Sequence, residues 1–416
     1  VLALSAGVFF SACSPAKDEP LIIWTDREEI VSCAELFNAT HDIKAAVVYK
    51  SDAARSLPPA RDEKKPDLVI ASWLRTSSMR KNFSSIEKLF SQNELHKSDF
   101  YSILLNSGAH NGSQYLIPVS FNLPAVVFDE KSASFVKSSH IISVDEIRAA
   151  DKAFSEVDEK GQYKHMGYAP SWDGDFLYLV AKLKGASFKE KDSIFGYDDT
   201  AVDSAVSYLR SWTLENHTET LAEQNFQFRY LYMPKNEQLE GGRSLFTYMT
   251  SRDFYTMPGD RADKLSFRWI SDGEKIMIED DVVYLGQYRE AQNPSKSALF
   301  VKWFFSPETQ KNLIERYRSM GLDTKEFGIA GGFSSLKEVN SKIFPTYYHE
   351  LLGNMPNEDI VSIPDTLPAR WQIFKSRVII PFLKENTAAV KTEDSAGALP
   401  GKSLDEFISD WSRQAF

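Results

Sequence analysis

Past its first twenty residues the chain alternates short apolar runs with longer amphipathic stretches. Leu21-Ile-Ile-Trp24 reads as a strand, the stretch through Phe37 as a helix with Ile30, Cys33, Ala34 and Phe37 on one face, and Ala45-Ala-Val-Val-Tyr49 as a second strand. After a polar stretch over 51–66 with paired prolines, Pro66-Asp-Leu-Val-Ile-Ala71 gives a third strand that stops at Ser72-Trp73. This β-α-β opening predicts an α/β fold with a parallel sheet. Ligands of such sheets gather outside the carboxyl ends of the strands, which places Asp26, Ser72 and Trp73 in one region.

Pro118 and Pro124 flank Ser120 and Asn122 just before the strand Ala125-Val-Val-Phe128-Asp129. Proline suits sheet edges and strand ends, so this passage reads as the chain leaving one sheet for another. A helix-like stretch over 143–148 follows, then an acidic helix from about 198 to 212, then a polar, aromatic-rich span over 223–258 that holds Thr250 and Ser251. Residues 276–284, with Glu279-Asp280-Asp281 at their centre, read as the chain returning. The most regular passage runs over 293–305 and into Ser306-Pro307-Glu308, where Ser as N-cap, Pro at the first helical position and Glu near the dipole's positive end predict two consecutive helices. A Gly-rich turn over 328–333, several prolines up to Pro368 and an amphipathic helix over 403–411 complete the chain; no internal repeat is visible.

One loop breaks this regular pattern. Met166-Gly-Tyr-Ala-Pro-Ser-Trp172-Asp-Gly-Asp175 sets a single indole among turn residues, ahead of an apolar helical run through Leu183. A flat ring beside carboxylates and free helix-start N–H groups suits a polyol or sugar-like ligand. The alternative is that Trp172 is a lid on its own domain's core.

Length and charge narrow the possibilities. With 416 residues the chain has about two to three domains' worth of sequence. A formal charge of −10, with no Lys/Arg block, leaves no electrostatic footprint for nucleic acid. The seven His show no metal-ligand spacing, and no nucleophile elbow or phosphate-cradling Gly loop is present, so neither a metal nor a cofactor is expected. Cys33, on an apolar helix face, is expected to be a core residue. The apolar run Val1–Cys13 is shorter than the roughly twenty residues a membrane span needs and reads as the h-region of a secretory signal peptide. Phe10-Ser11-Ala12-Cys13 resembles a lipobox, which implies lipid on Cys13 and a protein held at a membrane face outside the cytoplasm; the alternative is a plain cleaved leader.

Taken in order, the lipobox, the first strand and helix, the proline-flanked crossover, the Trp172 loop and the helices over 293–312 resemble the extracellular solute-binding proteins of ABC importers. The similarity is to the group that includes maltose-binding and glycerol-3-phosphate or glycerophosphodiester-binding proteins, and it extends over nearly the whole chain from Leu21. It implies a periplasmic-binding-protein fold (type II) of two α/β lobes, each a mixed sheet flanked by helices, joined by crossing strands. On this basis residues 1–19 are leader, lipobox and tether, 20–124 plus 285–333 the first lobe, and 125–284 plus 334–416 the second. It further implies a monomeric, lipid-anchored periplasmic protein that holds a small solute between the lobes and delivers it to membrane permease subunits.

Residue by residue, Trp172 matches a cleft tryptophan of the glycerophosphodiester binders, although Asp175 stands where those proteins carry a second Trp. Arg370 matches an arginine that meets phosphate in those relatives, Trp371 a sugar-stacking tryptophan of the maltose binders, and Phe333 an aromatic wall. The expected contacts are therefore Trp172, Trp73 and Trp371 as stacking surfaces, Asp26, Ser72, Ser120, Asn122, Thr250, Ser251 and Asp280 as polar groups, Arg370 for an anion and Phe333 as a wall. A glycerophosphodiester or glycerol-3-phosphate is the favoured solute and a sugar the other. Two rival roles are a glycosidase using Asp173 with Asp175 or Asp280 with Asp281 as its carboxylates, and a surface lipoprotein that binds a macromolecule.

Overall fold

The computed structural model describes residues 19–76, 78–92, 94–191, 194–258, 263–322, 325–391, 396–398 and 401–414. Cys13 and the leader around it lie outside these residues. The first sheet has six strands in the order Phe333–Ser334, Leu116–Phe121, Val283–Gln287, Leu68–Ser72, Leu21–Thr25, Ala45–Tyr49. Leu21–Thr25 pairs in parallel with both Ala45–Tyr49 and Leu68–Ser72, as the β-α-β opening requires. Val283–Gln287 inserts antiparallel between Leu68–Ser72 and Leu116–Phe121. The central strands Leu21–Thr25 and Leu68–Ser72 are buried along their whole length, which is why they read as continuous apolar runs rather than alternating ones. Over this sheet the helix Glu29–Thr40 packs Phe37 edge-on against Phe300 of the helix Pro294–Phe304, with ring centroids 5.1 Å apart. The next helix is Pro307–Ser319, with Ser306 at its N-cap position and Pro307 in its first turn. Cys33 is buried in this core, and burial pushes its thiol far up.

The second sheet has four strands in the order Thr247–Thr250, Pro124–Asp129, Leu265–Ser271, Ile141–Ser143. Its two faces go to different neighbours, because successive strand side chains point opposite ways. Val126, Phe128 and Ile270 join the core beneath the helices Val144–Phe154, Gly174–Leu183 and Asp199–Asn216. Phe267 and Trp269 face the segment over 344–363, where the Trp269 indole N–H donates to the Asn354 carbonyl at 2.7 Å. Ser143 caps its helix through a reciprocal pair with Glu146.

The chain passes between the sheets in two places. Only Asn122 and Leu123 separate Leu116–Phe121 from Pro124–Asp129, so the first passage is nearly one continuous strand. The second, over 278–282, lies beside it, and the Glu279 N–H donates to the Asn122 carbonyl at 3.0 Å. The Gly-rich turn before Phe333–Ser334 stays with the first sheet, returning the chain to its edge beside Leu116–Phe121. Gly328 has φ +62°, and a β-carbon there would stand 2.2 Å from the Gly332 carbonyl oxygen, so only glycine fits this tight return. No helix of the described residues is long and apolar enough to cross a membrane.

Candidate ligand cleft

Two cavities meet at Trp73, which ends the strand Leu68–Ser72 at the carboxyl edge of the first sheet. Trp73 has φ +63°, a left-handed conformation that costs a bulky residue roughly 1–2 kcal/mol and holds its half-buried ring out of the strand direction. The smaller cavity, about 320 Å³, lies between Leu57, Thr76 and Met79 on one side and residues 368–373 on the other. The larger, about 520 Å³, lies between Trp73, Asn122 and residues 279–281 on one side and Asp173, Asp175, Tyr248, Thr250 and Asp253 on the other. Both volumes fall within the roughly 300–1,000 Å³ of small-molecule sites.

Most carboxylates of the larger cavity are already matched. Asp175 meets Lys375 at 2.9 Å, Asp173 meets Lys235 at 3.5 Å, and Asp281 meets Arg27 at 3.5 Å. Asp280 lies 2.9 Å from Lys182, and these side chains are 2% and 4% exposed, so this pair is taken out of water altogether. Burial raises the Asp280 carboxyl, but Lys182, Lys375 and the Trp371 N–H together outweigh it and hold the group below the usual carboxylate range. Its neighbour Glu279 has no such direct cation: burial pushes it to about 7, against the field of Lys182 and a 2.7 Å hydrogen bond from the Tyr248 hydroxyl. The wall is therefore dense in hydrogen-bonding groups and close to balanced in charge, which suits an uncharged polyhydroxylated solute.

The structure brings together Trp73, Asn122, Thr250 and Asp280 in the larger cavity and Trp73 with Arg370 and Trp371 in the smaller. Arg370 is exposed at φ +64°, and among the described residues its guanidinium has no ion-pair partner. Several expected contacts are spent inside the protein instead. Trp371 is 1% exposed, ringed by Tyr178, Phe188 and Phe374, and donates its indole N–H to Asp280 at 2.8 Å, so it offers no stacking face. Phe333 is fully buried against Trp269, Phe121 and Phe327. Ser251, also fully buried, donates to Asn122 at 2.7 Å and accepts from the Leu123 N–H, while Asn122 and Ser120 donate to the Gly331 and Ala330 carbonyls. These three polar side chains tie the first passage to the Gly-rich turn and to the start of the helix Ser251–Tyr255. Thr250 caps the helix Ser251–Tyr255 with Asp253.

Trp172 is likewise reassigned. Its ring stacks on Phe226 at 5.7 Å and 14°, its N–H donates to the Glu223 carbonyl at 3.2 Å, and it lines neither cavity. The loop contributes Asp173 and Asp175 to the cleft, not its tryptophan. Under it lies a fully buried cluster in which His217 bridges Asp151 at 2.9 Å and Glu223 at 2.8 Å. Asp26 and Ser72 sit one layer behind the larger cavity. Asp26 accepts from the Ser72 N–H and faces Arg27 at 3.5 Å, and burial raises it to about 6 against that cation. Arg27 in turn donates to the Ser72 hydroxyl, which donates to the Asp281 carbonyl.

Sequence reasoning missed Lys182, Arg27, Tyr248, Gln372 and Lys375. A signal existed for one: Lys182 is a lone cation within the apolar run Phe176–Leu183, and it needed a buried anion.

No family model matches the chain, and no curated protein matches it. Solved structures do. The sugar-binding protein MalE from the phytopathogen Xanthomonas citri aligns with 95% of this chain and 96% of its own at 10% identity and a TM-score of 0.68. The cyclic alpha-maltosyl-1,6-maltose binding protein of Arthrobacter globiformis aligns with 95% of this chain and 98% of its own at 14% identity and a TM-score of 0.63. The galacto-N-biose-/lacto-N-biose I-binding protein of the ABC transporter from Bifidobacterium longum aligns with 96% of each at 13% identity and a TM-score of 0.59. End-to-end coverage with two passages between two sheets gives this chain the two-lobed periplasmic-binding-protein fold.

Proposed function

We propose that the protein is the substrate-binding component of an ABC importer and holds a sugar-type solute in the cleft around Trp73. The observation that carries this reading is the pair of cavities meeting at one left-handed, half-buried tryptophan, with a charge-balanced wall of carboxylates, hydroxyls and amides on one side. The names of the structural neighbours, each a sugar-binding protein, support it. A ligand touching both sides of the cleft stabilises the closed arrangement by the contacts it makes only there. The lobes are taken as 20–124 plus 285–333 and 125–284 plus 334–416. The protein is taken to act as a lipid-anchored monomer in the periplasm, with membrane permeases as its partners.

A glycerophosphodiester is the second reading, and the free guanidinium of Arg370 at the mouth of the smaller cavity favours it. A role in binding rather than glycoside cleavage is supported by the engagement of the rival carboxylates: Asp173, Asp175, Asp280 and Asp281 each already face a cation. The test is thermal unfolding of the full chain with maltose, maltotriose, mannobiose and glycerophosphocholine, with sugars assayed for cleavage. Saturation at about a hundred times Kd adds about 2.7 kcal/mol, readily seen as a raised Tm. A shift with an oligosaccharide that Trp73→Ala removes is the expected result. Released monosaccharide, or no shift with any of the four, overturns the proposal; a shift with glycerophosphocholine alone that Arg370→Ala abolishes selects the second reading.

A further inference from the structure

A third cavity, about 610 Å³, opens on the other side of Thr76 from the sugar cleft. Its walls come from four separate stretches of the chain. The loop after the strand Leu68–Ser72 contributes Arg75, Arg80 and Lys81, the stretch over 107–116 contributes Ser107 and Tyr115, and Glu190 closes it from the opposite side. In a chain whose formal charge is −10, this lining reverses the sign: three cations face one carboxylate.

The cations are not used up by the fold. Arg75 spends one guanidinium nitrogen on the Pro364 carbonyl at 2.9 Å, which anchors the loop across the groove, and its guanidinium also meets the buried Tyr284 hydroxyl. Arg80 lies over the Tyr115 ring, 5.9 Å from its centroid, and has no carboxylate partner among the described residues. The Lys81 ammonium has none either, since only its backbone carbonyl is engaged, by Arg289. The Glu190 carboxylate is occupied, accepting the Ala369 N–H at 3.0 Å. A guanidinium steadied on an aromatic face and a second held by a carbonyl keep their remaining donors aimed, so less freedom is lost when an oxyanion binds.

We propose that this cavity is a second site, separate from the sugar cleft, that binds an oxyanion through Arg75, Arg80 and Lys81. A phosphate is the best match, because its tetrahedral oxygens accept from several donors at once. The anion could be the free ion or the phosphoryl end of a larger solute, and two probes separate these.

The experiment is isothermal titration of the full chain with inorganic phosphate and with glucose 6-phosphate, at about 20 mM and about 150 mM NaCl. Saturable binding that weakens several-fold at the higher salt is expected. Equal affinity for the two probes identifies the ion itself; tighter binding of glucose 6-phosphate identifies the phosphorylated solute. Arg80→Ala/Lys81→Ala, at two exposed positions, should lower the affinity at least about tenfold while leaving any sugar-induced Tm shift unchanged. No saturable binding of either probe, or binding that survives the double substitution in a protein of unchanged Tm, overturns the proposal. Because the sugar shift is read separately, failure here leaves the reading of the Trp73 cleft untouched.

Discussion

Replacing Lys182 by methionine tests whether the second passage between the sheets is held by a buried charge pair. Methionine keeps the unbranched stem among Tyr178, Leu179 and their neighbours, so the change removes the ammonium with little cavity. Two bonds go: 2.9 Å to the Asp280 carboxylate and 3.2 Å to the Ile278 carbonyl. Asp280, 2% exposed, is then a buried anion without its principal cation. Breaking such a pair from one side costs roughly 3–5 kcal/mol. The Trp371 N–H at 2.8 Å and the field of Lys375 remain, which puts the expected loss near the lower end, about 3 kcal/mol in urea unfolding at pH 7. The pH dependence fixes the sign. Asp280 is held below its unfolded value, so its contribution is fully present above pH ~3.9 and is lost as pH falls through the lower folded value. Without Lys182, burial dominates and the carboxyl rises. The deficit should then be greatest at pH 7 and narrow on acidification, as the stranded group takes up a proton. Adding Asp280→Asn to Lys182→Met should recover about 1–3 kcal/mol relative to additivity. A single variant within about 1 kcal/mol of wild type at pH 7, or a deficit that does not narrow between pH 7 and pH 5, refutes the reasoning.

Two further substitutions probe the cleft and the loop beside it. At Trp73, where φ is +63°, Trp73→Gly should be more stable than Trp73→Ala by about 1 kcal/mol in urea unfolding, and both should lose oligosaccharide binding about tenfold or more; an alanine variant at least as stable as the glycine one contradicts the strain. His217 is raised from 6.5 to about 9 by Asp151 and Glu223 in spite of its burial, so the stability it contributes is complete below pH ~6.5 and is lost as pH rises through about 9. Wild type should therefore lose about 2–3 kcal/mol relative to His217→Gln between pH 6.5 and 9.5, and parallel stability curves for the two proteins contradict this.

Much of the architecture was legible in the order of residues, because strand and helix periodicity are local properties. The runs at 21–24, 45–49 and 66–71 became three parallel-paired strands, and Ser306-Pro307 opened a helix where a polar cap and a proline are tolerated. Proline spacing around Ser120 and Asn122 located the first passage, and strand polarity put Trp73 at the cleft. The roles of single side chains were not legible, since an exposed and a buried tryptophan look alike in sequence. Whether Trp172 faced a groove depended on Phe226, fifty-four positions on, arriving 5.7 Å from its ring; whether Trp371 could stack depended on Asp280 claiming its N–H. Likewise Glu279-Asp280-Asp281 read as a bare acidic run until Tyr248 came in to bond Glu279, and Lys182 and Arg27 to balance Asp280 and Asp281, from three separate elements. The chain alone determined where strands end and at which sheet edge a cavity opens, through backbone geometry that neighbours share. Tertiary structure alone decided which aromatic faces and charges stay unspent, because packing and pairing are settled among residues far apart in sequence.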